Sequence, residues 1–156
     1  MRAGAAALIL ACLAMPGTGR SYEPRVNYQL QCMGCHLADG TGQGGRVPSL
    51  RGTLVPFSMM SEGREFVVRV PGVAQSTLSD TDTAALLNWM ARNLSDERLP
   101  ADFKDYTASE VQALRSRPLA QVEAVRRELL QRIADARARE TGGSSLRPGA
   151  RNAIPP

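Results

Sequence analysis

The chain has 156 residues, of which 43% are hydrophobic, 22% are charged and only 4% are aromatic. This length and composition fit one globular domain with smaller appendages, and they exclude a fibre or a disordered polymer. The formal net charge of +4 would at first suggest a nucleic-acid partner. A core with so few aromatic rings must be filled by aliphatic side chains or by a group that is not a side chain.

The amino terminus has the pattern of a secretory signal. Arg2 precedes an apolar run over residues 3–15, and small residues suited to a signal peptidase follow at 16–19. We therefore expect a signal peptide over residues 1–20, cleaved on export to the periplasm. The apolar run is shorter than the roughly 20 residues that a bilayer span requires, so we expect no stable membrane span.

Cleavage changes the charge and the cysteine count. Without Arg2 and Arg20 the chain keeps 17 basic against 15 acidic residues, a net charge of +2, which gives little attraction for nucleic acid. Cys12 leaves with the signal. Two weaker alternatives for this segment are an uncleaved anchor and a lipoprotein attached at Cys12.

The exported chain contains one cysteine pair and one histidine, in the motif Cys32-x-x-Cys35-His36. Four interpretations compete: a structural disulfide, a dithiol redox site, a metal site and covalent attachment of haem. A structural zinc site needs four cysteine or histidine ligands, and only three are present. A thioredoxin-like site needs a helix after the motif, but the glycine-rich residues 39–45 disfavour one.

Covalent haem attachment accounts for the spacing if residues 28–37 form a helix. Cys32, Cys35 and His36 would then lie at i, i+3 and i+4 on one face. Each thiol could form a thioether with one vinyl group, and the imidazole could bind the iron as proximal ligand. One covalently bound haem c would also supply the missing aromatic core.

The recognisable pattern extends beyond this motif. It comprises Tyr28, the Cys32 to His36 motif, Asp39-Gly40-x-Gly42 and Val47-Pro48-Ser49-Leu50-Arg51-Gly52. Together these residues resemble the opening of a class I c-type cytochrome. The resemblance runs to about Leu94. It implies an all-α, cytochrome c-like helical fold around one covalently bound haem, with a C-terminal helical extension.

The resemblance also implies roles for individual residues. The closing helix would span residues 83–93, and the local pattern of Ser79 and Asp82 predicts its cap. The carbonyl of Pro48 would accept a hydrogen bond from the ring nitrogen of His36 that is not on iron. Trp89 would pack against the first helix, near Tyr28 or Leu30.

The sixth iron ligand departs from the family pattern. The family usually places a methionine shortly before the last helix, often directly ahead of a proline, but this chain has Val70-Pro71 there. Met60 or Met59 is the preferred candidate, because the stretch after residue 58 should pass over the distal side. Met90 on the closing helix is less favoured, and Lys104 or an open position remains possible.

The sequence divides into a signal at 1–20, a cytochrome c domain at 21–98, a helical C-terminal extension at 99–140 and a disordered tail at 141–156. The pattern over residues 95–106 predicts a solvated connector. Thr107 and Glu110 form a capping box for a short helix to about Ser116. An amphipathic helix over 119–140 would pack on the core or dock a partner subunit.

The function expected from these features is one-electron transfer between redox proteins rather than enzymatic catalysis. The protein would act as an exported carrier or as the cytochrome subunit of a dehydrogenase chain. The alternative is an open-coordination haem protein with peroxidase-like or gas-binding activity. Whether a side chain occupies the sixth coordination position of the iron distinguishes the two functions.

Overall fold

The computed structural model describes residues 21–96 and 98–143, without the side chains of 142 and 143. The expected signal at 1–20 lies outside the described residues, as does most of the tail expected to be disordered over 141–156. Residues 141–143 of that expected tail are instead helical, so the prediction was wrong there. The described part contains seven helices and no strand, which confirms the all-α class. In chain order the helices are α1 (Pro24–Gln31), α2 (Leu54–Ser58), α3 (Ser61–Arg69), α4 (Pro71–Ala74), α5 (Asp80–Asn93), α6 (Ala108–Arg115) and α7 (Val122–Gly143).

Helix α1 begins four residues earlier and ends six residues earlier than the expected helix over 28–37, so both predicted bounds were wrong. Pro24 occupies the first turn, where a missing N–H costs no hydrogen bond. The helix ends before the cysteine motif, and the Tyr28 hydroxyl donates to the carbonyl of Leu37 at 2.6 Å. This bond draws the chain beyond the motif back against α1, which a continuing helix could not allow.

Helices α1 and α5 pack against each other at the centre of the fold. The rings of Tyr28 and Trp89 lie 5.7 Å apart between centroids at a tilt of 44°, so the expected contact of Trp89 with the first helix is confirmed. Leu87 on α5 and Tyr28 are both almost fully buried. This crossing anchors the segment that carries the cysteine motif.

Two helix starts follow the local signals in the sequence. The Ser79 hydroxyl accepts a hydrogen bond from the backbone N–H of Asp82, so α5 begins at Asp80, three residues before the expected start at 83. The Thr107 hydroxyl accepts one from the N–H of Glu110 and begins α6. Both predicted caps are confirmed, because a cap depends on residues within one turn of each other.

The region between the motif and α5 is more ordered than the loop expected to cross the distal side. It forms the short helices α2, α3 and α4. The rings of Phe57 and Phe66 meet edge to face at 5.3 Å between centroids, which holds α2 against α3. Met59 and Met60 lie at the junction of these two helices.

The connector over 95–106 is not simply solvated. Tyr106 is buried, and its hydroxyl lies 2.8 Å from the hydroxyl of Ser58 on α2. Its backbone N–H donates to the side chain of Asn88, whose amide donates in return to the Tyr106 carbonyl. The connector is therefore tied to both α2 and α5.

The C-terminal helices pack on the rest of the fold. The guanidinium of Arg64 on α3 pairs with Glu110 on α6 at 2.8 Å. The N–H of Leu119 donates to the carbonyl of Arg69, which keeps residue 119 outside the helix and delays the start of α7 to Val122. Leu129 on α7 is only 3% exposed and belongs to the main hydrophobic core.

This packing predicts that α7 contributes to global stability. We expect Leu129→Ala to lower the free energy of unfolding by about 2 to 5 kcal/mol, since it leaves a cavity in the core. Leu30→Ala is the matched control, because Leu30 is also helical but 62% exposed. Urea denaturation of both variants is the measurement. Equal midpoints for the two would contradict the core position of Leu129.

Candidate functional site

The cysteine motif follows α1 as a separate helical turn. The backbone N–H of Cys35 and that of His36 both donate to the carbonyl of Cys32, at 3.1 and 2.9 Å. These i+3 and i+4 bonds bring the three side chains to one side of the chain, as the sequence spacing predicted, although the longer helix is absent. All three residues line the same cavity.

The cavity lies between this turn and helices α2 to α5. Its volume is about 280 Å³, near the lower end of the range for small-molecule and cofactor sites. Aliphatic and aromatic side chains dominate its walls, among them Leu54, Phe57, Phe66, Val67, Leu87 and Met90. A cavity of this kind suits a flat and mostly apolar group.

The two cysteines are not joined in a disulfide. Burial, and to a lesser degree the neighbouring Cys35, raises the pKa of the Cys32 thiol to about 11. Because dithiol exchange depends on a thiolate, this environment disfavours a thioredoxin-like role. It leaves two thiols that face a common cavity.

The imidazole of His36 has one free ring nitrogen that needs a partner. Burial lowers the pKa of His36, which favours the neutral form that binds metals. Its Nδ1 is buried and has no hydrogen-bond partner among the described residues, an uncommon state for a buried polar atom. Pro48 lies on the same cavity wall, and the bond to its carbonyl remains a prediction.

Comparison with known proteins identifies the family. The chain is 30% identical to a "Cytochrome c-552" of Thermus thermophilus in an alignment that is 141 positions long and covers 78% of this chain and 95% of the relative. It is 34% identical to a second "Cytochrome c-552" of Thermus thermophilus in an alignment that is 119 positions long and covers 64% of this chain and 91% of that relative. No family model matches the chain.

The chain belongs to the class I c-type cytochromes. It is an electron carrier rather than an enzyme, and haem c is the cofactor of its family. The aligned region includes most of the chain, so the all-α architecture described above is that of a cytochrome c.

The residues on the cavity fit the cofactor of a c-type cytochrome. Two unpaired thiols and a neutral imidazole line one wall, and apolar side chains line the others. Nδ1 of His36 is buried without a partner; if the Pro48 carbonyl accepts its hydrogen bond, Nε2 is the nitrogen available to iron. Haem would therefore find its attachment sites, its proximal ligand and an apolar enclosure in this cytochrome.

The candidate distal methionines occupy different places. Met59 is 39% exposed, Met60 packs against the core between α2 and α3, and neither lines the cavity. Met90 on α5 is 4% exposed and does line it. Lys104 is exposed, and its carbonyl accepts a hydrogen bond from Arg64.

Val70 lies on the cavity wall, in the position before Pro71 where a class I cytochrome usually carries its methionine. It ends α3 and precedes α4, and the N–H groups of Val73 and Ala74 both donate to its carbonyl. The turn that would present an iron ligand is thus formed, but the side chain of Val70 is aliphatic and cannot bind iron.

Helix α7 makes a contribution to the site that the sequence did not predict. Val122, Glu123 and Arg126 at the start of α7 also line the cavity. The amphipathic pattern predicted that this helix would pack somewhere, but no local signal links residue 126 to a motif so far before it in the chain. The C-terminal extension is therefore part of the cavity of this cytochrome.

Proposed function

We propose that the protein is an exported mono-haem cytochrome that carries single electrons between redox proteins. One haem would be held covalently through Cys32 and Cys35, with His36 as the proximal ligand of its iron. The observation that carries the proposal is the convergence of these three side chains on one mostly apolar cavity. The relatives named cytochrome c-552 support the same conclusion.

Each part of the site has a physical task in this function. The thiols would fix the cofactor in one orientation, and the His36 imidazole would hold the iron. A hydrogen bond from Nδ1 to the Pro48 carbonyl would orient the ring once the cofactor is bound. The apolar walls exclude water, which limits reorganisation when the charge changes. When bound, haem supplies an iron that alternates between the ferric and ferrous states.

The expected signal at 1–20 supports export to the periplasm. Within residues 21–96 and 98–143, no helix combines the length and apolarity needed to cross a membrane. A mature charge near +2, offset by two haem propionates, would make docking transient and weakly steered. The partner is a redox protein, and a place as the cytochrome subunit of a dehydrogenase chain fits the same docking behaviour.

Voltammetry of the purified protein tests this function. We expect one reversible, one-electron couple whose optical change follows the c-type absorption bands. The absence of a reversible couple in a protein that contains haem would contradict a role in electron transfer.

For the sixth ligand, position on the cavity wall favours Met90 over Met60 and Met59. A second candidate, an open iron with gas-binding or peroxidase-like activity, is favoured by Val70 on the wall.

Absorption spectra separate these candidates. If Met90 binds iron, the ferric protein has the weak band near the red limit of the visible spectrum that marks His–Met ligation. Met90→Leu then abolishes the band, whereas Met59→Leu and Met60→Leu retain it. If the position is open, the band is absent and the ferrous protein binds CO. Loss of the band in Met60→Leu or Met59→Leu alone would instead show that the sixth ligand is a methionine at the junction of α2 and α3.

A further inference from the structure

The first turns of α7 cover part of the cavity mouth. Val122, Glu123 and Arg126 line the cavity from this helix. The helix is held in place on both sides of them, because the N–H of Leu119 donates to the Arg69 carbonyl and Leu129 is buried in the core. The position of Arg126 at the cavity is therefore fixed by packing.

Arg126 differs from the other arginines that link the C-terminal segment to the core. Arg64 pairs with Glu110 at 2.8 Å, Arg115 with Asp80 at 3.1 Å and Arg132 with Glu62 at 3.0 Å. Arg126 is half-buried and has no hydrogen bond or ion pair among the described residues.

The nearest acid on the same wall does not neutralise this charge. Glu123 lies one turn before Arg126 on α7 and also lines the cavity, yet no ion pair joins the two side chains in the described structure. A half-buried guanidinium beside an apolar cavity is costly unless an anion pairs with it. An anion bound inside the cavity mouth would offset this cost.

We infer that Arg126 binds a haem propionate and that α7 is an integral part of the haem site. A carboxylate matches the fork of a guanidinium, which can donate two parallel hydrogen bonds. Arg126 is the cation among the residues that line the described cavity. This inference rests on the proposed function, since it needs haem in the cavity.

The role assigned to Arg126 is one of positioning and charge, and it predicts a shift in redox behaviour. The guanidinium favours the ionised form of the propionate. Its positive charge also repels that of the iron, which disfavours the ferric state relative to the ferrous state. Arg126→Gln should therefore lower the midpoint potential, because a cation near the iron is lost. It should also raise the pKa of the propionate. The midpoint potential falls as the pH rises through that pKa, so in the variant this fall should occur at higher pH.

The experiment measures the midpoint potential against pH for the purified, haem-containing protein. Arg126→Gln is compared with Arg126→Lys, which keeps the charge, and with Arg127→Gln, which removes an exposed arginine from the next position on the same helix. Glu123→Gln identifies any part of the profile that comes from the other acid on this wall. We expect the shift in Arg126→Gln, substantial rescue by lysine and a wild-type profile in Arg127→Gln.

Two failures can be distinguished. A wild-type protein that contains no haem would overturn the proposed function, and this inference with it. Haem bound in every variant, with the profile of Arg126→Gln superimposed on that of Arg127→Gln, would overturn the inference alone. If only Glu123→Gln moves the profile, the titrating group is that side chain, and the assignment of Arg126 to a propionate is wrong.

Discussion

Replacing Cys32 and Cys35 together by alanine is expected to abolish covalent attachment of haem. Each sulfur can form one thioether, so the double variant retains no bond to the macrocycle, while the single variants retain one. Denaturing electrophoresis stained for haem, together with the mass of the unfolded chain, is the measurement. We expect a haem-stained band for the wild type and none for the double variant.

The control lies inside the same motif. Met33 stands between the two cysteines and is 38% exposed, so Met33→Ala should leave attachment intact. Haem that remains on the unfolded double variant would contradict attachment through these sulfurs. Loss of haem from Met33→Ala as strongly as from the double variant would show that any change in the motif, rather than the loss of thiols, has this effect.

Gly42→Ala is expected to destabilise the protein by about 3 kcal/mol or more, at the upper end of the usual cost of overpacking. A Cβ at this position would lie 1.9 Å from the Val47 carbonyl oxygen and 2.7 Å from that of Pro48. Both contacts are with backbone, which cannot rotate away. The variant should also displace the Pro48 carbonyl, the proposed acceptor for His36.

Gly44→Ala is the matched control, because it lies in the same loop and a Cβ there would meet nothing within 4 Å. Urea denaturation should give a much lower midpoint for Gly42→Ala and a nearly unchanged one for Gly44→Ala. Equal midpoints would contradict the close approach of the two loop segments.

The sequence allowed prediction wherever the signal was local or carried by a family motif. The caps at Ser79 and Thr107 each depend on a bond within one turn, so the local pattern alone identified them. The convergence of Cys32, Cys35 and His36 was predicted from their spacing, even though a separate turn rather than a long helix achieves it. The contact between Trp89 and α1 followed from the family resemblance.

The parts that could not be predicted depend on distant contacts. Helices α2 and α3 are short and would be unstable alone, and the packing of Phe57 on Phe66 determines them. Arg126 reaches the cavity because Leu119 and Leu129 fix the path of α7. No periodicity in the sequence encodes where an amphipathic helix will lie, so the C-terminal contribution to the site could be found only in the folded structure.

The mass of the exported protein after unfolding and extraction of free haem decides whether the cofactor is bonded to the chain. We expect one species, heavier than the polypeptide from about residue 21 onward by one haem, with c-type absorption bands. A colourless protein with the mass of its amino acids alone would contradict the assignment of Cys32, Cys35 and His36.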